Sequence, residues 1–391
     1  MNNNRTKTNK TPAPKQATSD AASVVRAKHI KLGIDVHLDR YVVVRILDGG
    51  TPQPPQRFGP AEFLLWVAKQ LTLAEKVFTC YEAGPFGYNL DRKLEKMGAV
   101  NYVVRPRDWD EYGKKVKTDK RDAQQLALHL DRYVNGNRDA FCVVRVPTAQ
   151  QEQARSISRQ RESFQNERLR LAAQGRSHAL YYGAHLQGEW WRAKAWETSL
   201  TQLPPIVVNL LEPLRRLIDA LEVELKERTQ EVEAAAPAQL PLGLGKLTSQ
   251  ILEREVADWN RFKNRRQVAS YTGLCPREDS SSDRRFQGSI NKHGNRRLRP
   301  ALIECLWRLC VYQPEYRAVK KWRPELLNPK TSRPRRKKII VALARTFAVD
   351  WWRVRTNRCQ AQELGFKLQP TKASPASAKA ECASNADQKT Q

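Results

Sequence analysis

The sequence lacks several features that define common classes of protein. None of its apolar runs approaches the ~18 residues that a membrane-spanning helix needs, so no membrane location is expected. Its seven cysteines are scattered, form no Cys-x-x-Cys pair and have no histidine nearby with zinc-site spacing, which indicates reduced thiols. No Gly-x-x-x-x-Gly-Lys-Ser/Thr loop occurs, so no ATP site is expected. The first residues lack the apolar core of a secretory signal, which predicts a cytoplasmic protein.

Acidic residues are few relative to basic ones. The 391 residues include 69 Lys and Arg against 41 Asp and Glu, a formal net charge of +28. This excess predicts a polyanionic partner, nucleic acid before membrane. The cations are densest at residues 261–299 and 333–338, whereas a charged surface that is merely solvated usually has a better balance of signs.

Composition and periodicity divide the chain into segments. Residues 1–28 have little to bury, which predicts a disordered basic tail. Residues 29–148 alternate short strands (30–36, 41–46, 77–81, 100–104) with helices (61–71, 89–97), the pattern of an α/β layer fold. Residues 149–235 contain two long helical stretches. Residues 236–358 follow as a C-terminal domain, and 359–391 as a low-complexity tail.

The second long helical stretch carries a regular apolar seam. Its members are spaced alternately three and four residues apart: Leu211, Leu214, Ile218, Leu221 and Leu225. This spacing is typical of a short coiled-coil seam. We expect an antiparallel helical hairpin, a coiled-coil spacer that also serves assembly. Between the two helices lies an aromatic cluster that favours a packed lid or core corner over a base-stacking site: Tyr181, Tyr182, Trp190, Trp191 and Trp196.

Two aspartates stand three residues apart in a cationic run at residues 116–123. If a helix begins here, Asp119 and Asp122 lie on one face of it. One interpretation is helix-terminus chemistry, with Asp119 as the N-cap residue. The other is a shared divalent cation, because Mg²⁺ prefers hard oxygen ligands and usually takes one or two carboxylates.

Two further acids, Asp35 and Glu82, come directly after predicted apolar strands. In ribonuclease H-like folds some of the catalytic carboxylates lie on or beside the ends of strands, and a helix supplies the remaining carboxylates. The four acids together could therefore hold one or two metal ions against a phosphate.

Three blocks of the N-terminal half resemble those of the DEDD-type insertion-sequence transposases, a family that includes the Piv-type DNA invertases and the bridge-RNA-guided serine recombinases. The blocks are residues 33–36 (Gly-Ile-Asp-Val), 81–85 (Tyr-Glu-Ala-Gly-Pro) and 117–123 (Lys-Thr-Asp-Lys-Arg-Asp-Ala). The similarity runs from about residue 29 to 355.

The C-terminal half resembles the same family in two more blocks. Residues 262–276 are similar to its "RQ-A-Y-GL-P" block, and residues 280–299 to its "SSG…G-I-K-GN…LR" block. The family's glycine after the two serines is replaced here by Ser282, so the nucleophile stays open among Ser280, Ser281 and Ser282. Composition alone predicts an ordinary loop at this position.

The resemblance implies a RuvC-like (ribonuclease H-like) α/β domain, a coiled-coil spacer and a mainly α-helical C-terminal transposase domain. It implies that Asp35, Glu82, Asp119 and Asp122 bind Mg²⁺ or Mn²⁺ and that Ser281, by motif position, is the nucleophile. It further implies double-stranded donor and target DNA, a non-coding bridge RNA, a homodimer that assembles to a tetramer, and location in a bacterial cytosol or nucleoid.

The basic residues near these blocks are the predicted nucleic-acid contacts: Lys117, Lys120, Arg121, Arg265, Arg266, Arg284, Arg285, Lys292, Arg296, Arg297 and Arg299. Two rival functions remain. A Holliday-junction-type or ribonuclease H-like nuclease would use the four acids with water as nucleophile, and a binding-only protein would use the acids structurally.

Overall fold

A computed structural model describes residues 26–106, 118–281 and 284–369, with the backbone alone at residues 279–281, 284 and 285. The chain divides after Val146 into an N-terminal unit and a C-terminal unit that starts at Pro147. Most of the two predicted tails lies outside the described residues, as do Lys117 and Ser282. No helix in the described part of the chain is both long and apolar enough to cross a membrane.

The N-terminal unit contains a five-stranded sheet. Its strands are β1 (Ala27–Val36), β2 (Tyr41–Leu47), β3 (Gln56–Phe58), β4 (Ala74–Glu82) and β5 (Val100–Val104), and its helices are α1 (Pro60–Leu73), α2 (Asn89–Met97) and α3 (Asp119–Val134). The strand order is β3-β2-β1-β4-β5, with β1, β4 and β5 parallel and β2 antiparallel to its neighbours. This topology is compatible with the predicted RuvC-like fold. The sequence predicts four of the five strands and omits β3, which at three residues is too short to show a periodic pattern.

The two faces of the sheet pack against different helices because side chains alternate along each strand. Ile30, Leu32 and Ile34 of β1 share a core with Phe63 of α1 and Leu94 of α2. The opposite face is covered by α3, whose Ala123 and Ala127 pack on apolar residues of β2.

The C-terminal unit begins with three helices, α4 (Ala149–Tyr181), α5 (Ala193–Leu200) and α6 (Pro205–Ala234). Helices α4 and α6 run antiparallel, since Arg161 near the start of α4 bonds Thr229 near the end of α6 and Arg168 pairs with Glu222. All five seam residues of α6 are buried or half-buried. The seam therefore packs within the chain; its coiled-coil character and its use in assembly stay predictions.

The tryptophans between α4 and α6 form part of a core. Trp190, Trp191 and Trp196 are buried, and the Trp190 indole donates to the Ala172 carbonyl at 3.0 Å. A Cβ on Gly175 of α4 would lie 2.2 Å from the Trp190 ring, so only glycine permits this approach. The packed-corner interpretation is confirmed for the tryptophans, whereas Tyr181 and Tyr182, which are 84% and 42% exposed, lie outside this core.

The remainder of the C-terminal unit is mainly helical. It comprises α7 (Lys246–Val256), α8 (Arg265–Thr272), a hairpin of β6 (Pro276–Ser281) and β7 (Arg284–Ile290), α9 (Leu298–Tyr312), α10 (Arg317–Leu327) and α11 (Arg333–Arg355). The strands at the serine run differ from the loop that composition predicts. Residues after 358 still pack, since Ala361, Leu364 and Phe366 enter the core. The predicted division at residues 235/236 stays a prediction.

Candidate functional site

Every second residue of β1 lies on the sheet face that α3 covers, and Asp35 is one of them. The buried Lys31 ammonium pairs with Asp131 of α3 at 2.5 Å. A Cβ on Gly33 would lie 2.2 Å from the Ala127 backbone nitrogen, so β1 and α3 meet with no side chain between them. Asp35 is two residues further along the same face, at the carboxyl end of the strand.

Glu82 occupies the equivalent end of the neighbouring parallel strand. Ile34 and Tyr81 are register partners, so Asp35 and Glu82 are the next residues on β1 and β4. Cys80 donates from its Sγ to the Leu126 carbonyl of α3, and Glu82, two residues on, therefore lies on the α3 face as well.

The first turn of α3 supplies the other two acids. The helix begins at Asp119, and its N-cap residue is Thr118, so the interpretation of Asp119 as the N-cap is wrong. Asp119 and Asp122 both lie in the first turn, as their spacing predicts. Because α3 is fixed on β1 through Gly33, this turn reaches the end of β1.

The structure brings Asp35 and Asp119 together with a residue that the motif analysis missed. His37, Asp35 and Asp119 each offer a ligand atom, and the three atoms lie within 4.8 Å of one another. The His37 Nε2 lies 3.0 Å from Asp35 Oδ2 and 3.6 Å from Asp119 Oδ2. Glu82 and Asp122 are outside this group of ligand atoms.

An imidazole and a guanidinium adjoin the acids. His37 follows Asp35 by two residues at the tight turn between β1 and β2, where its amide donates to the Arg40 carbonyl. Arg40 in turn pairs with Asp119 at 3.0 Å. The signal in the sequence was the Asp-x-His spacing at a strand end, which places both side chains on one face.

The electrostatics of Asp35 reflect a crowded set of carboxylates. Burial raises the pKa of Asp35, and the charges of Asp119 and Asp122 raise it further, whereas His37 opposes the shift. Asp122 is thus close enough to influence Asp35. Such a cluster favours a cation, because positive charge offsets both the repulsion and the desolvation.

The donor set fits a divalent metal ion. Two carboxylates and one imidazole, all half-buried, converge at the end of β1, with further carboxylates on β4 and α3. Carboxylate oxygens suit Mg²⁺ and Mn²⁺, whereas an imidazole is a more usual ligand of transition metals. The residues present could therefore hold a divalent metal ion, and the choice of Mg²⁺ or Mn²⁺ stays a prediction.

Ser280 and Ser281 lie at the far end of the β6–β7 hairpin. Ser281 is the last residue of β6 and pairs in register with Arg284, the first residue of β7, and Ser280 pairs with Arg285. The opposite end is where the hairpin joins the rest of the unit. Away from its base, the described side chains of the hairpin, such as Glu278 and Phe286, are exposed. Among the described residues its two strands pair only with each other.

Backbone hydrogen bonds hold the base of the hairpin, where it joins the rest of the C-terminal unit. The Asn291 amide donates to the Cys275 carbonyl at 2.8 Å, and the Asn295 amide donates to the Tyr271 carbonyl at 2.8 Å. Gly294 lies against Gly273, where a Cβ would be 2.4 Å from the Gly273 nitrogen. The two glycines of the resembling blocks therefore allow the chain before and after the hairpin to touch.

A buried carboxylate connects this base to two helices. Glu255 of α7 is 1% exposed and accepts two hydrogen bonds from Arg159 of α4 and one from Asn295 at 2.8 Å. Its backbone carbonyl accepts the Tyr271 hydroxyl. Burial alone would raise the pKa of the Glu255 carboxyl, but the hydrogen bonds from Arg159 and Asn295 lower it below its ordinary value.

The predicted nucleic-acid residues differ in their exposure to solvent. Lys120 and Arg121 are exposed in the first turn of α3, and Arg265 and Arg266 are exposed in the first turn of α8. The side chains of Arg284 and Arg285 lie outside what the structure describes.

The remaining predicted contacts surround the start of α9. Lys292 and Arg296 are exposed. Arg297 forms an ion pair with Glu162 of α4, and Arg299 donates to the Lys292 carbonyl at 2.8 Å. These last two cations have structural partners within the unit, which sequence spacing does not reveal.

The known proteins and the family model that this chain resembles are all described as transposases. Residues 240–321 match the model described as "Transposase IS116/IS110/IS902 family". The chain is 31% identical to "Putative transposase y4rJ" of Sinorhizobium fredii, over 70% of this chain and 75% of that protein. It is 26% identical to the transposase for insertion sequence element IS1111A of Coxiella burnetii, over 71% of this chain and 77% of that protein. It is 24% identical to the transposase for insertion sequence element IS1328 of Yersinia enterocolitica, over 68% of this chain and 79% of that protein.

Proposed function

The chain belongs to the IS116/IS110/IS902 family of transposases, and from that premise we propose that it cuts and rejoins DNA with an acid-held metal ion and a serine nucleophile. The observation that carries the proposal is the convergence of Asp35, His37 and Asp119 at the end of β1. As a transposase it is a DNA-processing enzyme, and its metal-dependent mechanism with a serine nucleophile is our proposal.

The nucleophilic step is an exchange of phosphate esters. The Ser281 oxygen forms a bond to phosphorus and loses its proton, while the bond from phosphorus to the leaving deoxyribose oxygen breaks. The leaving oxygen takes up a proton and becomes a free hydroxyl. A DNA hydroxyl then attacks the phosphoserine and restores the serine. One ester replaces another, so no ATP is required.

The acids hold the cofactor. Asp35 and Asp119, with His37, Asp122 and Glu82 around them, would hold Mg²⁺ or Mn²⁺. When bound, the ion supplies positive charge that stabilises phosphate oxygens. The His37 Nε2 lies 3.0 Å from Asp35 Oδ2, and the Arg40 guanidinium donates to Asp119 Oδ2 at 3.0 Å.

The partners follow from the same proposal. The excess of 28 positive charges supports binding of donor and target DNA and of an element-encoded bridge RNA, with base pairing supplying the sequence specificity. Joining two duplexes needs several protomers, so we propose a homodimer that pairs into a tetramer.

A covalent-adduct assay tests the serine. Nicked duplex DNA and Mg²⁺ are incubated with protein and resolved on a denaturing gel, where a phosphoserine link gives a slowly migrating band. Ser281→Ala should abolish the band, whereas Ser289→Ala, an exposed serine of β7, should retain it. Ser280→Ala and Ser282→Ala test the neighbouring serines.

The two rival functions give different outcomes. Cutting at the wild-type rate by Ser281→Ala with no adduct in any variant would indicate a nuclease that uses water. Wild-type recombination by Asp119→Ala in a reporter assay would indicate that the acids are structural.

A further inference from the structure

The C-terminal unit contains a cavity of about 500 Å³ that is rich in arginine. Five guanidinium groups line it, from Arg265 and Arg266 of α8, Arg317 of α10, and Arg345 and Arg353 of α11. Its size is within the ~300–1,000 Å³ of sites that bind small molecules.

One acid accompanies these five cations. Asp350 lines the cavity, is 1% exposed, and accepts hydrogen bonds from the Arg317 guanidinium at 2.5 Å and the Arg353 guanidinium at 3.2 Å. The Tyr316 hydroxyl donates to its other oxygen at 2.8 Å. Asp350 therefore holds two of the arginines in fixed positions.

The other three arginines have no acid of their own. Within the described residues, Arg265, Arg266 and Arg345 form no ion pair with a carboxylate, although Arg345 is half-buried. The lining thus has an excess of four positive charges around one concave space. Like charges gathered around one concave space repel one another, and an anion that enters it offsets this repulsion.

Phosphate is the anion that this geometry suits. Guanidinium groups are planar, permanently charged and matched to the bidentate binding of phosphate oxygens. The sequence predicted Arg265 and Arg266 as nucleic-acid contacts but gave no reason to group them with Arg345, which lies about 80 residues further along the chain.

We propose that this cavity is a phosphate-binding site that holds the backbone of a nucleic acid strand beside the base of the serine hairpin. Cys275 also lines the cavity and directly precedes Pro276, the first residue of β6. A strand held here is therefore anchored next to the element that carries Ser281. The choice of nucleic acid as the source of the phosphates rests on the proposed function.

The test measures binding, with no strand cleavage. Fluorescent duplex DNA and single-stranded RNA of equal length are titrated in EDTA with the full chain at several salt concentrations. The key variant is Arg345→Gln. The matched control is Lys320→Gln, which also removes one positive charge but from a side chain that is 68% exposed and outside the cavity. Arg345→Lys retains the charge and loses the planar fork. Thermal unfolding checks that each variant folds.

Arg345→Gln should weaken binding of at least one polymer by roughly fivefold or more, and each lost phosphate contact should reduce the salt slope on duplex DNA by about 0.9. Lys320→Gln should change binding by less than about twofold. A loss confined to DNA or to RNA identifies the strand that is held. Equal effects of the two variants on both polymers, or no binding by the wild type, would overturn the proposal. Because the assay needs neither Ser281 nor a metal ion, failure of the proposed chemistry does not alter its outcome.

Discussion

In the N-terminal unit, Asp35 and Asp119 come from a strand and a helix whose backbones touch at Gly33, whereas in the C-terminal unit Ser281 stands at the far end of a two-stranded hairpin. The acids are therefore positioned by a packed core. The serine is positioned by contacts at the other end of its hairpin, where Gly273 and Gly294 meet and Glu255 is buried.

This difference indicates what each region contributes. A cation site needs its ligands pre-arranged, because mutual repulsion otherwise separates them. An isolated two-stranded hairpin is marginally stable in water, so β6 and β7 depend on their fixed base. The comparison predicts large stability effects near the acids and small ones along the hairpin.

The largest effect is expected from Gly33→Ala. The new Cβ would lie 2.2 Å from backbone atoms of α3, so the helix must move away from the sheet. We expect a loss of about 3 kcal/mol or more in the free energy of unfolding. Urea denaturation measures it, with Gly59→Ala as the control because a Cβ there meets nothing within 4 Å. Equal stability of the two variants would show that α3 is not held by this contact.

Glu255→Gln should destabilise the C-terminal unit by about 1–3 kcal/mol at neutral pH. The pKa of Glu255 is lower in the folded protein than in the unfolded chain. Its contribution is thus fully present above the ordinary value of about 4.3 and is lost as the pH falls through the lower folded value. The difference in the free energy of unfolding between Glu255→Gln and the wild type should be smaller near pH 3 than at pH 7. A pH-independent difference would contradict the role of the charge.

His37→Ala and Arg40→Gln should change metal affinity in opposite directions. His37 offers a ligand atom beside Asp35, so its loss should weaken Mn²⁺ binding by roughly tenfold. Arg40 is a fixed positive charge paired with Asp119, so its removal should strengthen binding. Calorimetric titration with Mn²⁺ measures both. A weakening by both variants would mean that Arg40 is needed to position Asp119.

Phe286→Ser should have the smallest effect on stability. Phe286 lies on β7 and is 65% exposed, so the free energy of unfolding should change by less than about 0.5 kcal/mol. Phe347→Ser, in the core of the same unit, provides the contrast. A large loss from Phe286→Ser would show that the hairpin has a packing partner and would weaken the contrast with the acid cluster.

Much of the N-terminal unit followed from local patterns in the sequence. The bounds of α2 and β5 are those that helical periodicity and alternation predicted, and Asp119 and Asp122 do share the first turn of a helix. The serine hairpin was expected as a loop, because a run of serines has neither the apolar alternation nor the side-chain volume of a typical strand.

The sequence by itself determined the strand and helix periodicities, the excess of positive charge and the four acids at element ends. These are local properties that depend on the order of residue types. Only the tertiary structure decided that His37 and Arg40 join the acids, that Glu255 holds the base of the hairpin, and that Arg266 and Arg345 face one cavity. Contacts of this kind depend on how closely two backbones can approach, which at Gly33 and Gly294 is set by the absence of a single Cβ atom.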